Sequence, residues 1–231
     1  MSLPRPPAEQ AARPATGAPP PLPGRFRAVV FDMDGLLLDS EKAWEAAERR
    51  FMEAHGAELT EEDRRASLGR SVDEVLVWYA RRIGWPADRI DVLRTELMGL
   101  VWAEYAQIAP MRGAHELVDR LRGRVPLGIA SNTDRALVEH ALAATGLEDA
   151  FDAVVTVDDV EHPKPAGDIY RVACERLGVR PEEAVALEDS ETGVAAAKAA
   201  GVWCIAVPQM DGLDVSAADE IVESLEQLLE P

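Results

Sequence analysis

The chain reads as an α/β protein: a parallel sheet wound with helices on both faces and interrupted by an inserted helical block. Three observations carry this. Apolar runs alternate with helical patterns from Pro110 to Val207. A short apolar run, Val29-Val30-Phe31, stops abruptly at Asp32 and Asp34. Between the two, residues 41–108 show helical periodicity and no convincing strand.

Taken in order, residues 1–24 are rich in Pro and Ala and lack the apolar stretch of a secretory signal. Proline at that density joins neither helix nor central strand, so a disordered tail is expected. Val29-Val30-Phe31 is a buried strand. Trp44, Ala47, Phe51 and Ala54 share one helical face, with Gly56 at its end. Val75, Leu76 and Tyr79 form another stripe, and Leu93, Leu97 and Leu100 a third. Pro110 opens a different rhythm. A helix through Leu117, Val118 and Leu121 leads to a strand, Val125 to Ala130, and a helix through Leu137, Val138, Ala141 and Leu142 closes at Gly146. Ala153 to Val157 is a strand, Ile169 to Leu177 a helix, Ala184 to Leu187 a strand, Val194 to Ala200 a helix, and Trp203 to Val207 a strand. This βαβαβαβ order implies parallel strands joined by right-handed crossovers, a Rossmann-like doubly wound sheet. Residues 25–40 and 109–231 would form the core, and 41–108 an inserted helical cap domain.

Composition narrows the function. With 42 acidic against 24 basic residues the net charge is −18, which argues against binding along a nucleic-acid backbone. A phosphorylated small molecule would need a cation and a few local Lys or Arg residues to attract it. No apolar stretch is long enough for a membrane span, so a cytoplasmic location is the default. Cys174 and Cys204 are widely spaced and read as small apolar side chains in a reducing compartment. His55, His115, His140 and His162 show no paired ligand spacing, which makes zinc improbable.

The polar residues that end the strands carry the chemistry. Asp32 and Asp34 end the first, Ser131-Asn132 follow the strand at Ala130, Lys164 stands between Pro163 and Pro165 after the third, and Glu188-Asp189 end the fourth. Parallel strands bring these ends to one edge, where open α/β sheets bind ligands. Each has a plainer reading alone. The aspartates suit a turn, Ser131 or Thr133 a helix cap, Lys164 a solvated surface, and Glu188-Asp189 a helix N-terminus. Four such coincidences are less economical than one site: a carboxylate nucleophile, a divalent cation and groups that stabilise phosphoryl oxygens.

These motifs resemble those of the haloacid dehalogenase superfamily, in the phosphatase and phosphomutase branch that carries a small helical cap. Asp32-Met33-Asp34-Gly35 resembles the first motif, Ser131-Asn132 the second, Lys164 within His162-Pro163-Lys164-Pro165 the third, and Glu188-Asp189-Ser190 the fourth. The resemblance runs from Phe26 to the C-terminus. It implies Asp32 as a nucleophile that becomes an aspartyl phosphate, and Asp34 as general acid and base. Ser131, Asn132 and Lys164 would hold the phosphoryl group, with Lys164 also keeping Asp32 ionised. Mg²⁺ would be bound by Asp32, Glu188, Asp189 and the Asp34 carbonyl. A true dehalogenase would not use the Asp-x-Asp pair with magnesium. A β-phosphoglucomutase would carry a His ten residues after the general acid and an Arg three residues past a cap-loop Gly. This chain has Trp44 and Val72 there, with Arg70 shifted next to Gly69. Arg70 is a candidate substrate contact, its plainer reading being an exposed loop residue, and Trp44 is expected to pack within the cap. The expected activity is therefore hydrolysis of a small phosphomonoester, such as a sugar phosphate, with a hexose-phosphate mutase as runner-up and a catalytically idle binding domain as a third, improbable reading. The sequence sets neither the substrate nor the oligomeric state.

Overall fold

A computed structural model of the chain describes residues 22–67, 72–86, 89–209 and 212–229. Arg70 and most of the expected tail, residues 1–21, lie outside them. The tail's last residues depart from expectation, because Leu22 is buried beside Phe26 and Pro23 O accepts from Phe26 N. An apolar side chain with a core to enter outweighs its proline-rich context.

Six parallel strands form one sheet: β1 (Ala28–Phe31), β2 (Leu127–Ala130), β3 (Ala153–Val155), β4 (Ala184–Glu188), β5 (Trp203–Ala206) and β6 (Glu220–Ile221). Their order is β3-β2-β1-β4-β5-β6, so β1 lies between β2 and β4. The first four crossovers after the helical block are α5 (Ala114–Leu121), α6 (Arg135–Thr145), α7 (Asp168–Arg176) and α8 (Glu191–Ala200), numbered after four helices described below. Strand β6 was not foreseen. It is two residues long, too short to show an alternation, and is recognisable by its pairing with β5, Ile205 level with Glu220 and Ala206 with Ile221.

The two faces of the sheet differ in size, and this positions the site. Val29, Phe31, Ile129, Val185, Leu187 and Ile205 pack with α5 and α6 on one face. On the other the strands offer mainly small residues, among them Ala28, Ala130, Ala184, Ala186 and Ala206, toward α7 and α8. Small residues let a helix approach closely. A Cβ on Gly128 would already lie 3.0 Å from Leu177 Cδ1.

Between β1 and β2 the chain forms α1 (Ser40–Ala54), α2 (Glu61–Ser67), α3 (Val72–Ile83) and α4 (Ile90–Tyr105). Their stripes are largely those expected, with two shifts. Ala54 is exposed at the end of α1, and on α4 the buried stripe is Leu93, Leu97, Val101 and Tyr105, with Leu100 only half-buried. Four-residue spacing keeps one line down a helix, which Leu100 leaves. The chain enters and leaves this block side by side: Asp39 N donates to Ala109 O at 2.9 Å and Met111 N to Leu37 O at 2.8 Å. Trp102 of α4 stacks on His140 of α6, ring centroids 4.3 Å apart. Cys174 and Cys204 are buried and free. No helix among the described residues is long and apolar enough to cross a membrane.

Candidate active site

Strand register assembles the site. Phe31 is level with Ile129 on one side and Leu187 on the other. The next residues, Asp32, Ala130-Ser131 and Glu188, therefore emerge together at the carboxyl edge. Asp32 N donates to Leu187 O at 2.9 Å, which fixes its backbone one step past the strand.

Lys164 is no surface residue. It is 7% exposed, and its Nζ donates to Asp32 Oδ1 and Glu188 Oε1, both at 2.6 Å. Asn132 holds it there through its backbone: Asn132 Oδ1 accepts from Lys164 N at 2.9 Å, and Nδ2 donates to Lys164 O at 3.1 Å. Both ends of the Asn132 amide are committed, so this side chain serves to fix Lys164. Burial opposes the Lys164 charge, but the two carboxylates outweigh it and raise its pKa.

Asp34 points into a ring of hydroxyls. Its Oδ2 accepts from Thr133 Oγ1 at 2.7 Å and Ser131 Oγ at 3.2 Å, and its Oδ1 from Tyr105 OH at 2.7 Å. Burial, then the adjoining Asp34 charge, push the Tyr105 phenol up, so it remains a donor. Ser131 and Thr133 are not helix caps, because Asp134 caps α6 by accepting from Leu137 N. Glu188 and Asp189 likewise leave the capping of α8 to Ser190, which accepts from Gly193 N at 3.1 Å.

The acidic cluster is Asp32, Glu188 and Asp189, which can each aim one oxygen within 4.8 Å of the others. Desolvation is the largest influence on Asp32 and Asp189. It lifts Asp32 well above the usual carboxylate range against the pull of Lys164, and Asp189, with help from Glu188, to about 7. One ammonium is too little positive charge for the cluster. Glu188 Oε1 also accepts from Tyr170 OH at 2.5 Å, whereas its buried Oε2 has no partner among the described residues. An orphaned carboxylate oxygen is costly unless a cation completes it. Two glycines make room: a Cβ on Gly193 would fall inside the Glu188 carboxylate, and one on Gly35, at φ +81°, would lie 2.2 Å from Asp189 Oδ2. Hard, anionic oxygens with an open lone pair suit Mg²⁺. The residues present fit that ion.

The structure thus brings together seven of the eight residues singled out from sequence: Asp32, Asp34, Ser131, Asn132, Lys164, Glu188 and Asp189. Sequence reasoning missed Tyr105, Thr133 in its role on Asp34, Tyr170 and Gly193. Tyr105 and Tyr170 lie on apolar helical stripes, where a hydroxyl gives no periodic signal. Trp44, expected only to pack, also donates through Nε1 to Tyr105 OH at 3.0 Å.

The family model for haloacid dehalogenase-like hydrolases matches residues 26–201, a span that includes every residue of this cluster. The chain belongs to this family. It is 30% identical over 214 residues to a validoxylamine A 7'-phosphate phosphatase of Streptomyces hygroscopicus, covering 89% of this chain and 97% of that protein. It is 35% identical over 180 residues to a phosphorylated carbohydrates phosphatase of Thermotoga maritima, covering 77% and 82%. Among solved structures, CbbY of Rhodobacter sphaeroides in complex with phosphate superposes with a TM-score of 0.77 at 29% identity, over 88% of this chain and 96% of that one. As a haloacid dehalogenase-like hydrolase, the protein is an enzyme.

Proposed function

We propose that this hydrolase is a Mg²⁺-dependent phosphatase of a small phosphorylated sugar or polyol, working through an aspartyl phosphate on Asp32. The observation that carries the reading is the pairing of Asp32 with Lys164 beside a second, hydroxyl-held aspartate two residues on. The substrate class follows the names of the relatives, one a phosphatase of phosphorylated carbohydrates and the other of validoxylamine A 7'-phosphate.

Lys164 holds one oxygen of Asp32, which leaves the other to attack phosphorus. A P–O bond forms to Asp32 while the bond to the leaving oxygen breaks, and Asp34 delivers a proton to that oxygen. Asp34, now a carboxylate, takes a proton from water, whose oxygen attacks phosphorus. The Asp32–phosphorus bond breaks, and Asp32 is restored as inorganic phosphate departs. Ser131 and Lys164 would hold the equatorial oxygens. Mg²⁺, held by Asp32, Glu188, Asp189 and the Asp34 carbonyl, would neutralise charge on the carboxylates and the phosphoryl group. Residues 41–108 would act as a cap domain that selects the substrate.

Water is the acceptor in this reading, since the indole at position 44 donates to Tyr105 and offers no base. The test is a panel of phosphorylated sugars and polyols with Mg²⁺. Release of inorganic phosphate from at least one is expected. Conversion of β-glucose 1-phosphate to glucose 6-phosphate faster than either is hydrolysed would replace the phosphatase reading with a mutase.

A further inference from the structure

Asp34 is held from two sides. Thr133 and Ser131, from the loop after β2, hold Oδ2, while Tyr105, the last residue of α4, holds Oδ1. Tyr105 is fully buried, and a buried phenol needs a partner, but any nearby carbonyl would have served. The direction of this one is fixed from behind. An indole N–H can only donate, so the Tyr105 oxygen accepts from Trp44 Nε1, and its single O–H is left for Asp34. Trp44 stands on α1 and Tyr105 on α4, so both parts of this relay belong to the helical block, whereas their target belongs to the sheet edge.

We infer that Tyr105 is a positioning residue for proton transfer, its phenol holding Asp34 where the leaving oxygen forms, with Trp44 holding Tyr105 in turn. The inference rests on the reading of Asp34 as general acid and base. It also links the placement of the helical block to the proton donor, because one of the two oxygens of Asp34 is held by that block.

The test uses two esters of similar shape. Phenyl phosphate releases a phenol of pKa about 10 and needs a proton on the leaving oxygen. p-Nitrophenyl phosphate releases a stabilised phenolate and does not. Single-turnover release of each phenol, with enzyme in excess, isolates the first chemical step. For Tyr105→Phe, which removes one oxygen and keeps the ring, release from phenyl phosphate should slow about 10- to 100-fold. Release from p-nitrophenyl phosphate should slow less than about threefold. Trp44→Phe should show the same selectivity at smaller size, and it carries the test if Tyr105→Phe proves unfolded by circular dichroism. A merely structural role would slow both esters alike. Asp34→Asn separates the two readings. Should it show no selective loss on phenyl phosphate, the assignment of Asp34 is wrong. Should it show that loss while the Tyr105 and Trp44 variants slow both esters equally, or neither, the assignment stands and the positioning role is overturned.

Discussion

A methyl group on Gly193 would occupy the space of the Glu188 carboxylate, 1.8 Å from Oε2. Helix α8 therefore runs so close to the end of β4 that only glycine fits beneath Glu188. Alanine is the better helix former by about 1 kcal/mol, so Gly193→Ala carries a helix-propensity gain along with its clash. Glu188 cannot swing away freely, being fully buried and tied to Lys164 and Tyr170. Gly193→Ala should lower kcat/KM by about 100-fold or more and raise the Mg²⁺ concentration needed for half-activity, while Tm moves by only a few degrees. An unchanged Mg²⁺ requirement in a metal titration would count against the cradle.

Removing the metal should abolish turnover. With EDTA, activity should disappear and return on adding Mg²⁺. Ca²⁺ should restore little, since its larger and looser coordination shell disturbs in-line geometry. Full activity in metal-free buffer would refute the use of Asp32, Glu188 and Asp189 as a cation site.

The two aspartates should separate in a trapping experiment. Asp32→Asn removes the nucleophile, so turnover should fall to background with no adduct. Asp34→Asn retains it and should lose about 10²–10⁴-fold in turnover. With acetyl phosphate, whose leaving group needs no proton, it should still be phosphorylated and hold the group longer. Rapid-quench mass spectrometry should find a phosphate adduct on the Asp34 variant and none on the Asp32 variant.

Glu48 should make stability fall with pH. It is buried in α1, and burial raises its carboxyl to about 7, with the Tyr79 phenol and Arg64 only partly offsetting this. An acid with a raised folded-state pKa binds its proton more tightly when folded. Its neutral form is accommodated below the unfolded value near 4.5, and stability is lost as pH rises from there to about 7. The full loss is about 3 kcal/mol on that linkage. Thermal melts between pH 4.5 and 8 should show a smaller decline for Glu48→Gln than for the wild type. Parallel curves would show that Glu48 ionises as readily folded as unfolded.

How much of this was legible beforehand depended on whether a residue marks a strand end or lies on a helix stripe. Asp32, Ser131 and Glu188 end apolar runs and Lys164 stands between two prolines in the loop after another, and a polar residue at a repeated place is visible in one dimension. Strand order followed from the alternation, because parallel crossovers leave few topologies. Tyr105 and Tyr170 sit where the helical period demands apolar residues, so their rings satisfied the pattern and hid their hydroxyls. Gly193 was unreadable for another reason: its meaning lies in the distance from α8 to β4, set by the alanine-lined face of the sheet. Arg70 stays a sequence-based candidate.

The paired entry and exit of the helical block, Asp39 beside Ala109 and Leu37 beside Met111, has a consequence for how such an enzyme changes over time. A segment that departs and returns at one stalk can be lengthened, shortened or re-sequenced without shifting the register that aligns Asp32 with Glu188. On the function proposed above, phosphoryl chemistry and choice of substrate would then reside in separately replaceable parts. One contact that would resist such exchange is the phenol of Tyr105, so on the inference above replacement helices would still need to end on a donor that reaches Asp34.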